Sequence, residues 1–504
     1  MHFTFIHYIA LIFFLGAIVA CNNNSTTTNK TSTTNNNTAI ASTPTAKVTY
    51  NKNIPQSDTS YKLAITVEGL GQGYAKLLGI FGNQNYVVDS AKVDSKGHML
   101  LEGKEGLPGG LYFVVLPQTN NQYLQVLLAD DQHLTMQTKL SNLVGNMKVD
   151  GSLDNELFYD HLNFQTALDN RLKIAEKTLK TAAKDSPEAQ QAESEKQKIV
   201  DERIAHINDF ATKHPDAFFT KFKLAGQNPV LKYPKKLNGE VDETMQVYLY
   251  RNEFWDNVDF NDERLLRTPV FYNKLEKFIT QLTDQKPDSL IKYADYIIQK
   301  TINNKELFKH TTNYIALQYQ PKKTTLMGGE AVYVHIIDKY FTYEKAFWSD
   351  STEIRGLRKE ARDMMPSLIG KTGQDVKAKN VEGKYVSLYD SKSPIKIVFI
   401  YSATCEHCQE EAPKLAKVYE EWHNKGVDIF GICTDADENE WKKFVKKYNL
   451  PWQNVIDPDY ESGYYKKYHI DITPELYVLD KNHTIVAKNV KSHQLPQIFE
   501  TINQ

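Results

Sequence analysis

At 504 residues the chain is too long for one ordinary core and predicts about two to four domains. Its composition, 41% hydrophobic, 24% charged and 11% aromatic, is that of a globular protein with a polar surface. Lys and Arg number 60 against 62 Asp and Glu, a formal charge of −2, so no broad basic field exists to hold phosphate backbones and nucleic acid is not expected as a partner.

From Phe3 to Ala20 the chain is nearly all apolar, ending in Ile18-Val19-Ala20 before Cys21. Residues 1–20 resemble a bacterial lipoprotein signal, with Cys21 as the lipid-bearing residue, although no Lys or Arg precedes Lys30. An uncleaved anchor is the other reading, because the run is just long enough to span a bilayer. The Asn/Ser/Thr tract after Cys21 favours the lipoprotein; such a composition buries nothing, so residues 21–58 read as a disordered tether. Either way the folded part is expected in the cell envelope, facing the periplasm, where disulfide chemistry escapes the cytosolic reductants.

At Tyr61 the period becomes two, with Tyr61, Leu63, Ile65 and Val67 alternating with Lys62, Ala64, Thr66 and Glu68. Further short runs follow, from "YAKLLGIFG" to "HLTMQTKL", and Asp94 to Gly97 reads as a hairpin turn between two of them. Residues 59–150 are therefore expected to form an antiparallel, sandwich-like β-domain. Residues 151–365 carry helical periodicity: Leu290, Tyr293, Ile297 and Ile298 share a face, and Ser186 with Pro187 marks a helix start. Trp255 and Trp348 are expected in the core, and the charge-rich stretch from Arg171 to Arg203 on a solvated face. The histidines show no metal-ligand spacing, and neither a metal nor a cofactor is expected.

Residues 366–504 alternate β and α, the pattern of a mainly parallel sheet. "IKIVFIY", Ile395 to Tyr401, suits a central strand buried on both faces. A helix follows, with Leu415, Val418, Tyr419 and Trp422 on one face and Gly426 at its stop. "VDIFGICT" is a second buried strand, Asp437 caps a helix, a hairpin turns at Lys481-Asn482, and "LPQIFETIN" closes with a helix.

Between the central strand and its helix lies Cys405-Glu406-His407-Cys408. A thiol at a helix start meets unpaired N–H groups and the positive end of the helix dipole, both of which favour its anion. His407 adds a cation or a donor near the sulfur, and Cys408, one turn on, can resolve a mixed disulfide. Three readings compete. Zinc wants four ligands, and the remaining thiol of this segment, Cys433, stands inside an apolar strand as a small buried hydrophobe. A permanent disulfide over two intervening residues would constrain little of the unfolded chain. A catalytic dithiol fits best.

The strand, the Cys405–Cys408 motif, Pro413 in the following helix and "ITPELYVLDKNHTIV" resemble the TlpA/ResA-like thiol–disulfide oxidoreductases of the redoxin (AhpC/TSA) superfamily. The resemblance implies a thioredoxin fold for 366–504 and hence a multidomain chain: all-β, then mostly α-helical, then α/β. It implies a redox disulfide between Cys405 and Cys408, and a cis-proline turn at Thr473-Pro474 whose backbone pairs with a substrate polypeptide, with Glu406 also on the substrate side. Glu411 matches an acidic residue used near the buried thiol; from the residues alone it is either a proton relay or a solvated carboxylate. Thr404 replaces the family's usual Trp, and Phe399 stands where thioredoxin has a buried Asp. The earlier segments resemble Bacteroidetes lipoproteins with a β-domain and a helical domain of unassigned role. The expected function is a membrane-anchored thiol–disulfide oxidoreductase, whose partners are disulfide- or dithiol-bearing envelope proteins, a thiol electron donor or acceptor, and the membrane through lipid on Cys21. The alternatives are a thiol peroxidase, for which Ser402 fits but Val398 replaces the expected proline, and a binding lipoprotein with an accessory redox module.

Overall fold

A computed structural model describes residues 60–502, so the signal segment 1–20, Cys21 and the tether 21–58 lie outside the described residues. The chain forms two compact units, one ending at Lys274 and one beginning at Leu275.

The first unit opens with β1 (Tyr61–Glu68), β2 (Gly73–Phe81), β3 (Gln84–Val93), β4 (His98–Gly103), β5 (Gly110–Val115), β6 (Tyr123–Leu128), β7 (His133–Lys139) and β8 (Lys148–Asp150). They make two four-stranded sheets, β4-β1-β7-β8 and β3-β2-β5-β6. The alternation in β1 is realised, with Tyr61, Leu63, Ile65 and Val67 buried. Two expectations change. The pairing is not purely antiparallel, because β1 runs parallel to β7, Leu63 opposite Leu134. The Asp94–Gly97 turn forms, but it carries the chain from one sheet to the other, since β3 and β4 lie in different sheets. Local turn chemistry fixes the reversal of the chain and not which strands pair.

Helices follow: α1 (Leu153–Thr181), α2 (Pro187–Lys213), α3 (Phe218–Gly226) and α4 (Glu243–Glu253), with α5 (Pro269–Lys277) crossing into the second unit. Ser186 caps α2 as expected, accepting the Ala189 N–H. Buried Asn155 ties α1 to β6: its amide accepts the Leu127 N–H at 2.8 Å and donates to the Leu127 carbonyl at 2.6 Å. The stretch from Arg171 to Arg203 is more than a solvated face. Arg171 joins Glu195 and Glu202 across the α1–α2 pair, and Arg203 joins Asp169 at 2.5 Å. Trp255 is buried, as the sequence led us to expect.

The second unit begins with α6 (Pro287–Thr301), α7 (Lys305–Gln318), α8 (Glu330–Tyr340) and α9 (Ser351–Met364). Leu290, Ile297 and Ile298 are buried, Tyr293 and Trp348 partly so. Then come β9 (Lys377–Asn380), β10 (Tyr385–Ser387), β11 (Ile395–Tyr401), α10 (Glu406–Trp422), β12 (Val427–Cys433), α11 (Glu438–Lys447), β13 (Gln453–Ile456), α12 (Tyr464–Lys467), β14 (Glu475–Leu479), β15 (Ile485–Lys488) and α13 (Leu495–Ile502). One seven-stranded sheet, β10-β9-β13-β12-β11-β14-β15, holds them together. β11, β12 and β13 run parallel, but the other four pairings are antiparallel, so the sheet is not mainly parallel as the β/α alternation predicted.

Every residue of β11 is buried, and the pleat deals them to two cores. Ile397, Phe399 and Tyr401 pack with Leu415, Tyr419 and Trp422 of α10; Val398 and Ile400 pack with Tyr468, Tyr477 and Leu479 on the other face. Gly426 closes the α10 segment at φ +91°, a left-handed position that glycine tolerates best. The effect is to fix the end of β11, and so the start of α10, between two packed layers.

Candidate active site

The α10 helix starts at the carboxyl end of a central parallel strand, where α/β sheets place their ligand sites. Cys405 is its N-cap, in extended conformation. Its N–H reaches the Ser402 carbonyl at 3.3 Å, and its own carbonyl accepts the N–H groups of Cys408 and Gln409 at 3.1 Å. The sulfur therefore stands where a capping oxygen stands in other helices. Burial works against its anion, but the N–H of Cys408, the Cys408 thiol, the Thr473 side chain and the His407 N–H outweigh it and hold the Cys405 thiol below the ordinary cysteine value. Cys405 is partly exposed, and its S–H donates to the Thr473 carbonyl at 3.4 Å.

Cys408 differs from it. It is fully buried, and burial pushes its thiol up to about 12, in spite of donors at the Ser402 N–H and the Thr473 side chain. One thiol is thus reachable and the more easily ionised of the two, while the other is shielded and held protonated. Both are free thiols.

The remaining expected residues fall as follows. The Thr473–Pro474 peptide is cis, and Thr473 is shared by both sulfurs. Glu406 and His407 are exposed in the first turn of α10; what His407 lends the sulfur is its backbone N–H. Glu411 is buried, which removes the solvated reading. Its carboxylate accepts the Ser492 N–H at 2.6 Å and has Lys414 at 3.8 Å. Phe399 is buried in the core, and Thr404 is exposed at the rim. Cys433 is fully buried, its thiol also pushed up to about 12 by burial. Among the described residues no cluster of three or more His, Cys, Asp or Glu suits a metal ion. A cavity of about 240 Å³ lined by Lys396, Asp428 and Gln453 lies at the opposite end of β11 from Cys405.

Two carboxylates near these loops escaped the sequence reading. Asp435, just past β12, accepts from Ser402 and Ala403. Its signal was its place after a buried strand, on the side where sites form. Glu475 follows Pro474 at the head of an otherwise apolar strand, which was the signal for it. It accepts the Asp471 N–H at 3.1 Å and the Tyr477 hydroxyl at 3.2 Å, bracing the loop that presents Thr473.

Burial raises the Glu475 carboxyl from 4.5 to about 7, against the opposing pull of the Asp471 N–H and Lys488. The folded chain then holds a proton between those values that the unfolded chain has lost. Its contribution to stability is complete below about pH 4.5 and is lost as pH rises to about 7. Glu475→Gln should match wild type in urea unfolding at pH 4 and exceed it by about 3 kcal/mol at pH 8. A difference that does not change with pH would contradict this.

Comparison with known proteins bears on the same segment. A family model described as the AhpC/TSA family matches residues 369–488. Two others, each described as a domain of unknown function (DUF4369 and DUF5106), match residues 61–158 and 188–371. The thiol-disulfide oxidoreductase ResA of Bacillus cereus is 25% identical over 158 residues, 31% of this chain and 83% of that protein. Among solved structures, a domain of a possible thiol-disulfide isomerase from Cytophaga hutchinsonii is 32% identical, with 27% of this chain and 95% of that one covered and a TM-score of 0.26. A thioredoxin-like protein from Bacteroides caccae is 17% identical, with 55% and 99% covered and a TM-score of 0.42.

Proposed function

Residues 369–488 are an AhpC/TSA-family domain and put the chain among the thiol–disulfide oxidoreductases of thioredoxin fold; from that premise we propose that it reduces protein disulfides through Cys405 and Cys408. The observation that carries this reading is the asymmetry of the two thiols, one favoured as an anion and partly exposed, the other buried and pushed up to about 12.

The Cys405 thiolate attacks a substrate disulfide, forming a bond to one substrate sulfur while the other leaves as thiolate. The Cys408 thiolate then attacks the Cys405 sulfur, releasing the second substrate thiol and closing the Cys405–Cys408 bond. The chain is oxidised by two electrons and the substrate disulfide is reduced by the same two; a dithiol donor restores the couple. Glu411, buried one turn beyond Cys408 and fixed by the Ser492 N–H, receives the Cys408 proton. Thr473 and Pro474 receive the substrate backbone beside Cys405, with exposed Glu406 and His407 at the rim. Run backwards, the same steps oxidise a dithiol.

Lipid on Cys21 would hold the chain at a membrane with its folded part in the periplasm, among disulfide-bearing envelope proteins. Among the described residues no helix is long and apolar enough to cross a membrane. The test is insulin reduction with dithiothreitol as donor. The chain should speed precipitation of the insulin B chain well above dithiothreitol alone, and no acceleration would overturn the proposal.

A further inference from the structure

We propose that Asp435 is a positioning residue for the resolving step, fixing through Ser402 the backbone N–H that faces the Cys408 sulfur. This rests on the reading of Cys405 and Cys408 as a redox couple. Ser402 touches both cysteines: its N–H reaches Cys408 Sγ at 3.4 Å, and its carbonyl accepts the Cys405 N–H at 3.3 Å. What holds Ser402 is Asp435, from the neighbouring strand end. Oδ1 accepts the Ser402 hydroxyl at 2.8 Å, and Oδ2 accepts the Ala403 N–H at 2.5 Å. The Ser402 hydroxyl in turn accepts the Thr404 N–H at 3.3 Å, so one carboxylate organises the whole turn before Cys405.

Resolution requires Cys408 as an anion, and the Ser402 N–H is a donor aimed at that anion. With the brace gone, the turn gains freedom and the donor leaves the sulfur. The charge of Asp435 is a separate matter. It bears on Cys433, whose S–H lies 3.7 Å from Oδ2 and whose thiol the carboxylate helps to push up after burial. Asparagine can keep both braces, its oxygen accepting from Ala403 and its amide donating to the Ser402 hydroxyl. Alanine keeps neither. The two substitutions therefore separate geometry from charge.

The test follows the reduced full-length chain, carrying Cys21→Ser, as it reacts with a chromogenic aromatic disulfide. Attack by Cys405 forms a mixed disulfide and frees one coloured thiolate. Attack by Cys408 on the Cys405 sulfur frees the second and leaves the protein disulfide. In Asp435→Ala the second release should slow roughly ten-fold more than the first, the worth of about one hydrogen bond to a charged group. Asp435→Asn should restore the second release to within about two-fold of wild type. The proposal is overturned by an unchanged second release in Asp435→Ala, by Asp435→Asn being as slow as alanine, or by both releases slowing equally. If the unsubstituted turn itself frees only one equivalent, the redox-couple reading fails and takes the proposal with it; the other failures leave that reading standing.

Discussion

Cys405→Ser should lower disulfide reduction by on the order of 10³-fold or more, because a hydroxyl supplies no anion to attack sulfur at neutral pH. Cys408→Ala should leave the first attack intact and stall the chain as a mixed disulfide that survives non-reducing electrophoresis. The magnitudes follow from the two thiols. At pH 7 a thiol pushed up to about 12 is ionised to roughly one part in 10⁵, whereas one held below the ordinary value of 9.0 is ionised to about one per cent or more. A more basic thiolate is the better nucleophile, which returns a factor of about 20 to 30 over such a gap. Iodoacetamide should therefore label Cys405 at least about 30-fold faster than Cys408, before the burial of Cys408 is counted. The pH profile of Cys405 labelling should level off below that of a free cysteine. Equal labelling of the two, or full turnover by Cys405→Ser, would leave the proposed chemistry without its nucleophile.

Much of this site could be read in the chain because its signals are local. Thr473-Pro474 is marked as the facing loop through the family resemblance, whereas a CxxC after an apolar run by itself places one sulfur at a helix start. The alternation of Tyr61 to Val67 and the Ser186-Pro187 helix start are of the same kind, each decided within a few residues. What escaped was decided by residues far apart in sequence. Asp435 reaches Ser402 across 33 positions, and Lys62 to Glu68 find a parallel partner some 70 positions on. The Asp94–Gly97 turn shows the limit well, since its residues dictate a reversal but not the sheet in which the next strand lands. Side-chain direction was the other blind spot. Adjacency put His407 beside Cys405, yet its ring is exposed and its backbone does the electrostatic work. Glu411 and Glu410 looked alike in an acidic run, and burial of the first distinguishes them.

The largest stability effect expected away from the cysteines concerns Lys488 and Glu330. Lys488 ends β15 and Glu330 begins α8, so the pair joins the sheet to the helices of the same unit. Nζ lies 3.2 Å from Oε1, within ion-pair distance though not aligned as a hydrogen bond, and both side chains are less than a tenth exposed. Lys488 also lies 5.3 Å over the Tyr477 ring, and its charge favours the anion of Glu475. Lys488→Met keeps the apolar stem and removes the charge, leaving one buried carboxylate without its cation and a second without a stabilising neighbour. Breaking such a pair from one side costs about 3 to 5 kcal/mol, far above the median exposed pair. The loss in urea unfolding should be larger at pH 8, where Glu475 is ionised, than at pH 5, where it is protonated. Adding Glu330→Gln should recover most of it, because removing both charges also removes the desolvation each one carries. The loss is set by an orphaned charge if the double variant recovers, and by lost packing if it is as unstable as Lys488→Met alone. Recovery would mean that the two buried charges serve chiefly to neutralise each other while packing holds α8 to the sheet, and a fragment starting at residue 366 would then carry Lys488 without the carboxylate that neutralises it.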